Sequence, residues 1–126
     1  MSPKNLVMSS IVQYILVRGD LLKNLNWSLG AVVAQACHAC VAVIHQYYTD
    51  ECTQQYVQDI DNMHKVVLEI PNEEEFKKIQ DLLIEKNIYH KVWIEQPENI
   101  STCIAIKPYP KNNVQKYFKK YKLLSC

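Results

Sequence analysis

Apolar and β-branched residues dominate "IVQYILVRGDL" (Ile11–Leu21) until Arg18-Gly19-Asp20 interrupts them. Such a run predicts a central strand that passes into a loop. Ser28 follows as an N-cap for a helix reaching about Tyr48, and Thr53–Met63 reads as a weaker helical stretch. "HKVVLEI" (His64–Ile70) is a strand closed by Pro71. Asn72 then caps a helix with an acidic first turn, in which Phe76, Ile79, Leu82 and Leu83 recur at helical spacing. "YHKVWIE" (Tyr89–Glu95) and "TCIAIK" (Thr102–Lys107) predict two further strands around the turn "QPENIS". In the closing "PKNNVQKYFKKYKLL", Val114, Tyr117, Phe118 and Tyr121 form one apolar stripe.

Strands separated by helices in this order predict an α/β fold with a mixed sheet covered on both faces. A chain of 126 residues is long enough for one packed core. We therefore expect a flexible N-terminus over residues 1–10 and a single domain over residues 11–126. Gly19 and Gly30 are the only glycines, which excludes a Gly-rich phosphate loop and the nucleotide cofactors it would hold. The longest apolar run is short and interrupted, and Met1–Ser10 lacks the apolar stretch of a secretory signal. No membrane is expected. Five cysteines, an odd number, suit free thiols in a reducing compartment, so a cytoplasmic location is expected.

The net charge of +1 hides a division along the chain. Residues 50–98 hold 12 acids against 5 lysines, whereas residues 99–126 carry 6 lysines and no acid. A basic C-terminal end can bind nucleic acid. A solvated helix face gives the same pattern.

Within the long helix, "WSLGAVVAQACHAC" (Trp27–Cys40) ends in a C-x-x-C. A reactive dithiol belongs at a helix N-terminus, where the dipole stabilises a thiolate. Cys37 lies about two and a half turns beyond Ser28. On a helical wheel Cys37 and Cys40 fall among Val33, Val41 and Ile44, so we expect both to be small core residues. No second Cys/His pair stands at finger-like spacing, and no metal is expected. Gln35, His38, His45 and Gln46 share the polar stripe, with Ala31, Ala34 and Ala42 between them. Small residues beside polar ones admit either a ligand or a covering loop.

Taken in order, "ILVRGDL", "GAVVAQACHA", "KVVLEIPNEEEFKKI" and "TCIAIKP" resemble the peptidyl-tRNA hydrolase type 2 family. The resemblance covers Ile11–Leu124, and "WIEQPENISTCIAIKPYPK" is similar to one eukaryotic branch of it. It implies a three-layer α/β/α sandwich around a four-stranded mixed sheet. It also implies hydrolysis of the ester between a peptide and the 3′ ribose of tRNA, with peptidyl-tRNA as partner and no metal or cofactor. A catalytically degenerate RNA-binding protein and a protein-interaction module using the same cleft are the alternatives. Whether two copies pair as a homodimer is left open.

Carried over by position, Gln35 and His38 match the family's A-Q-x-x-H-A. The lysine that precedes this run in the family, taken as catalytic, is Ala31 here, and the other lysine of its G-K-G-K segment is Leu29. "EQPEN" replaces the loop that carries the family's active-site aspartate, with Glu95 as the substitute carboxylate. Thr102, six residues before Pro108, matches the family threonine, and Ser101 is its stand-in. Arg18, Lys107 or His38 can replace the missing cation, although Arg18 can equally pair with Asp20 at the surface. Lys107, Lys111, Lys116, Lys119 and Lys120 are the expected contacts to tRNA phosphates.

Overall fold

The computed structural model describes residues 10–126. The expected flexible N-terminus, apart from Ser10, lies outside the described residues. Strand β1 (Ile11–Arg18) is followed by a one-turn helix α1 (Asp20–Lys23), the long helix α2 (Leu29–Gln46) and α3 (Glu51–Gln58). Next come β2 (Lys65–Ile70), α4 (Glu73–Glu85), β3 (His90–Glu95), β4 (Ile100–Ile106), the two-residue β5 (Tyr109–Pro110) and α5 (Lys111–Val114). The sheet order is β2-β1-β4-β3, with β5 pairing to β1. Strand β1 runs parallel to β2 and antiparallel to β4, and β3 is antiparallel to β4. This is the expected mixed sheet, lengthened by the short β5.

Strand β1 is buried on both faces because each face meets its own helical layer. Val12, Tyr14 and Leu16 pack with Phe76, Ile79 and Leu83 of α4 and with Val114 and Phe118 of the C-terminal segment. Ile15 and Val17 face the other way, towards Leu21 of α1 and Val32, Ala39 and Val43 of α2. Asn72 caps α4 as expected, its side chain accepting from the Glu75 N–H. The C-terminal stripe also packs as core: Val114 and Phe118 are buried, with Tyr117 and Tyr121 against them. The segment is not one helix, however, but α5 followed by a 3₁₀ turn over Gln115–Tyr117. Beyond it, the Glu69 N–H donates to Lys122 O and the Leu124 N–H to Val67 O, covering the outer edge of β2.

The expectation is corrected for Cys37, whereas Cys40 does pack against the α2-side core. Helix α2 meets the sheet through Val32, Gln35, Ala39 and Val43. The arc holding Val33, 51% exposed, and Val41, 70% exposed, faces outward. Cys37 is exposed with it, and Cys40 is half-buried, its Sγ 3.3 Å from Gln13 Oε1. The reason lies in α2 itself. It contains no Asp, Glu, Lys or Arg and is apolar around most of its circumference, so periodicity cannot choose the buried face. Its length and mean hydropathy of 1.4 would suffice to cross a bilayer; here it lies against the sheet.

Gly19 is required by a close approach, since its φ of −72° suits any residue. A Cβ at this position would lie 2.5 Å from Cγ, Cδ and Oε2 of Glu69. Glu69 is buried and tied to Lys23 by a 2.6 Å ion pair, so it cannot move freely. Gly19→Ala is expected to cost about 1–3 kcal/mol through overpacking. Urea unfolding should show a lower midpoint with unchanged slope. An unchanged midpoint would show that Glu69 swings aside.

Candidate active site

At one end of the sheet, the end of β3 and the start of β4 meet the first turns of α2. The tight turn Gln96–Asn99, closed by the Asn99 N–H donating to Glu95 O at 2.7 Å, fixes Glu95 at the end of its strand. On β4 the pairing with β3 slips, with Trp93 opposite Cys103 and Ile94 opposite Ser101. Thr102 is therefore the extra residue of a β-bulge. Strict alternation would send Thr102 and Cys103 to opposite faces, but a bulge re-aims a side chain. Cys103 packs in the α2-side core, and the Thr102 hydroxyl also reaches α2, donating to Gln35 Oε1 at 2.9 Å.

Gln35 Nε2 donates to Ala31 O at 3.1 Å. Reversing the amide would set two oxygens against each other there, so its orientation is fixed and the Thr102 hydroxyl must be the donor. The Trp93 indole N–H donates to Glu95 Oε1 at 3.0 Å. Trp93 also stacks on His38, with ring centroids 4.6 Å apart and 20° between planes. The Trp93 hydrogen bond holds the Glu95 carboxyl below its ordinary value. A little desolvation opposes it, while a Gln35 hydrogen bond and the charge of His38 reinforce it. The Thr102–Gln35 and Trp93–Glu95 bonds thus fix two neighbouring polar groups next to an ionised carboxylate. Beside them lies an open trough of about 440 Å³ lined by Cys37, His38, Val41, Ala42, His45 and Trp93.

The structure therefore places Gln35, His38, Thr102 and Glu95 in one cluster. Thr102 is fully buried, so it touches this network rather than open solvent. Arg18 reaches the same end of the sheet. Its Nη1 donates to Ser101 O at 3.2 Å, and its Nε and Nη2 clasp Asp20 at 3.1 and 2.8 Å. Glu73 lies 3.8 Å from the guanidinium. The pairing with Asp20 is real, but it is buried rather than at the surface, and Arg18 has two carboxylates to neutralise it.

Lys107 is the clearest departure from expectation. It is 3% exposed, donates to Asp50 Oδ2 and Pro108 O at 2.9 Å each, and sits 3.8 Å from the Tyr109 ring centroid. It can neither meet a phosphate nor replace the family lysine, because five residues of β4 place it roughly 17 Å from Thr102. Lys111, Lys116, Lys119 and Lys120 are exposed, and Lys120 pairs with Glu75 at 3.3 Å. Their segment packs on the α4 side of the sheet, opposite Gln35. The residue missed by sequence reading is Trp93. Its i, i+2 spacing from Glu95 on one strand was the available signal.

Among known proteins, the family model for peptidyl-tRNA hydrolase PTH2 matches residues 11–124. The chain belongs to the peptidyl-tRNA hydrolase PTH2 family. Two relatives, from Homo sapiens and Mus musculus, are both named "Putative peptidyl-tRNA hydrolase PTRHD1". They are 48% and 46% identical over 114 residues, which is 90% of this chain and 81% of each relative. Within the PTH2 family the chain thus falls in the PTRHD1 branch, and the PTH2 fold accounts for the sandwich described above.

Proposed function

We propose that this chain hydrolyses the ester between a peptide's C-terminal carboxyl and the 3′ ribose of tRNA. The observation that carries this reading is the cluster in which Thr102 is bonded to Gln35 at 2.9 Å and Trp93 to Glu95 at 3.0 Å, with the Glu95 carboxylate held ionised beside an open trough. Glu95 orders a water and accepts its proton as the water attacks the ester carbonyl; the acyl C–O3′ bond then breaks, and the proton passes to the departing ribose oxygen. Gln35 and Thr102 hold the carboxylate and the first turns of α2 in register. His38 is the remaining side chain beside the site able to carry a positive charge, since Arg18 is neutralised and Lys107 is distant. No step needs a metal or cofactor.

Losing one oxyanion donor costs on the order of 2.7–4 kcal/mol. With Ala31 in place of the family lysine, the reaction is expected to be slow. The same substitution favours a second reading, a degenerate member that binds tRNA without turnover. Under either reading the exposed Lys111, Lys116 and Lys119 meet the tRNA body rather than its acylated end. The five unpaired cysteines support a cytoplasmic setting.

The two readings separate in one experiment on wild type and Ala31→Lys, using an N-acetyl-aminoacyl-tRNA. Binding should weaken with salt with a log–log slope of about 2–3, for three or four phosphate contacts. Wild type should release the acyl group, and Ala31→Lys should do so about a hundredfold faster, the effect of one restored donor. Salt-dependent binding with no release by wild type would make the native protein a binder. Salt-insensitive binding with no release by either protein would contradict both readings.

A further inference from the structure

Trp93 opens the branch-like stretch "WIEQPEN" but is assigned no role by the resemblance, yet it touches three of the four residues of the cluster. Its indole N–H is bonded to Glu95 at 3.0 Å, and its ring lies against His38. Its backbone oxygen stands 3.5 Å from the Thr102 hydroxyl. We propose that Trp93 is a positioning residue for the hydrolysis, fixing the direction of the Glu95 carboxylate and the plane of the His38 ring with one side chain. This rests on the hydrolase reading given above.

The physical case has two parts. A carboxylate at the end of an edge strand, beside a turn, has free rotamers unless something holds it. A charge-assisted N–H···O bond at 3.0 Å leaves one Glu95 oxygen and the outer lone pairs of the other for a water. An exposed histidine on a helix surface is equally free, and offset stacking at 4.6 Å confines its ring to one plane. An error of about 1 Å in such groups can slow a reaction a hundredfold.

Facing Glu95 are Trp93 on its own strand, Gln35 and His38 from α2, and the neutral Thr102 of β4, one hydrogen bond further off through Gln35. His38 is the other titratable group among them. Because Trp93 is the leading cause of the low Glu95 pKa, its loss should move the titration upward. The acid limb of activity should follow.

The test compares wild type, Trp93→Phe and Trp93→Ala in the full chain. Phenylalanine keeps a ring against His38 but removes the N–H; alanine removes both. The Glu95 carboxyl is titrated by carbon-detected NMR, with Glu95→Gln to assign the resonance. Single-turnover rates are measured across the same pH range. Trp93→Phe should raise the Glu95 titration towards the ordinary carboxylate value, move the acid limb of the rate upward with it, and slow the plateau about tenfold. Trp93→Ala should slow the plateau further. A Trp93→Phe protein that is active, with both the Glu95 titration and the acid limb unmoved, would overturn the proposal while leaving the hydrolase reading intact. An inert wild type would remove the hydrolase reading and this role with it, even if the titration shifts.

Discussion

Asp50→Ala should destabilise the fold by about 3 kcal/mol, the low end of the range for breaking a buried ion pair, because Lys107 is buried but Asp50 is half-buried. Asp50 Oδ2 accepts from Lys107 Nζ at 2.9 Å, from the Thr53 N–H at 3.0 Å and from the Thr53 hydroxyl at 3.2 Å. Alanine leaves the buried ammonium of Lys107 with only Pro108 O and the Tyr109 ring, and it also removes the N-cap of α3. The cap alone is worth about 1 kcal/mol. Since the whole stability of such a domain is about 5–15 kcal/mol, this is a large share of it. Asp50→Asn keeps a capping oxygen and loses only the charge, so it should lose less. Burial raises the Asp50 pKa, but the bonds from Lys107 and Thr53 outweigh it and hold the carboxyl below its ordinary 3.8. A depressed folded-state pKa means stability present above the unfolded value and lost as pH falls through the folded one. Urea midpoints should therefore drop below about pH 4 in wild type, and less in Asp50→Asn. Equal midpoints for wild type and Asp50→Ala at pH 7 would contradict this account of Lys107.

Glu95→Gln should lower the single-turnover rate by about 10²–10⁴, the usual contribution of a general base. The substitution is nearly isosteric. A glutamine oxygen can still accept from the Trp93 indole, and the residue lies outside both cores, so stability should change little. What disappears is the charge that, in the proposed mechanism, takes the proton from water. Under the proposed mechanism the low pKa of Glu95 means that activity should need the ionised form and fall off in acid. A carboxylate this ionised is also a weak base, a second reason besides Ala31 for a slow reaction. If Glu95→Gln matches wild type in rate, Glu95 is structural and the water is activated elsewhere.

The sheet and its helices were legible because local signals agree with the tertiary fold there. Asn72 with its acidic turn, the apolar run of β1 buried on both faces, and Pro71 closing β2 each point to one structure. The α2 face was not legible. An uncharged, nearly all-apolar helix leaves the choice to packing, and the side carrying Ala39 and Gln35 won over the side carrying Cys37 and Val41. Gln35, His38, Thr102 and Glu95 were named from motif positions. Their meeting depends on a bulge at Thr102 that changes which way a side chain points, and no pattern of period two predicts it. Lys107 shows the converse. A lysine in a basic tail looks like a phosphate contact until a distant acid, Asp50, is found beside it.

The measurement that tests the central claim most directly is single-turnover release of the acyl group from N-acetyl-aminoacyl-tRNA, with wild type and Glu95→Gln each in excess over substrate. The account predicts release by wild type above the spontaneous rate, and release by Glu95→Gln at least about a hundredfold slower. Wild type no faster than buffer, or Glu95→Gln as fast as wild type, would contradict it.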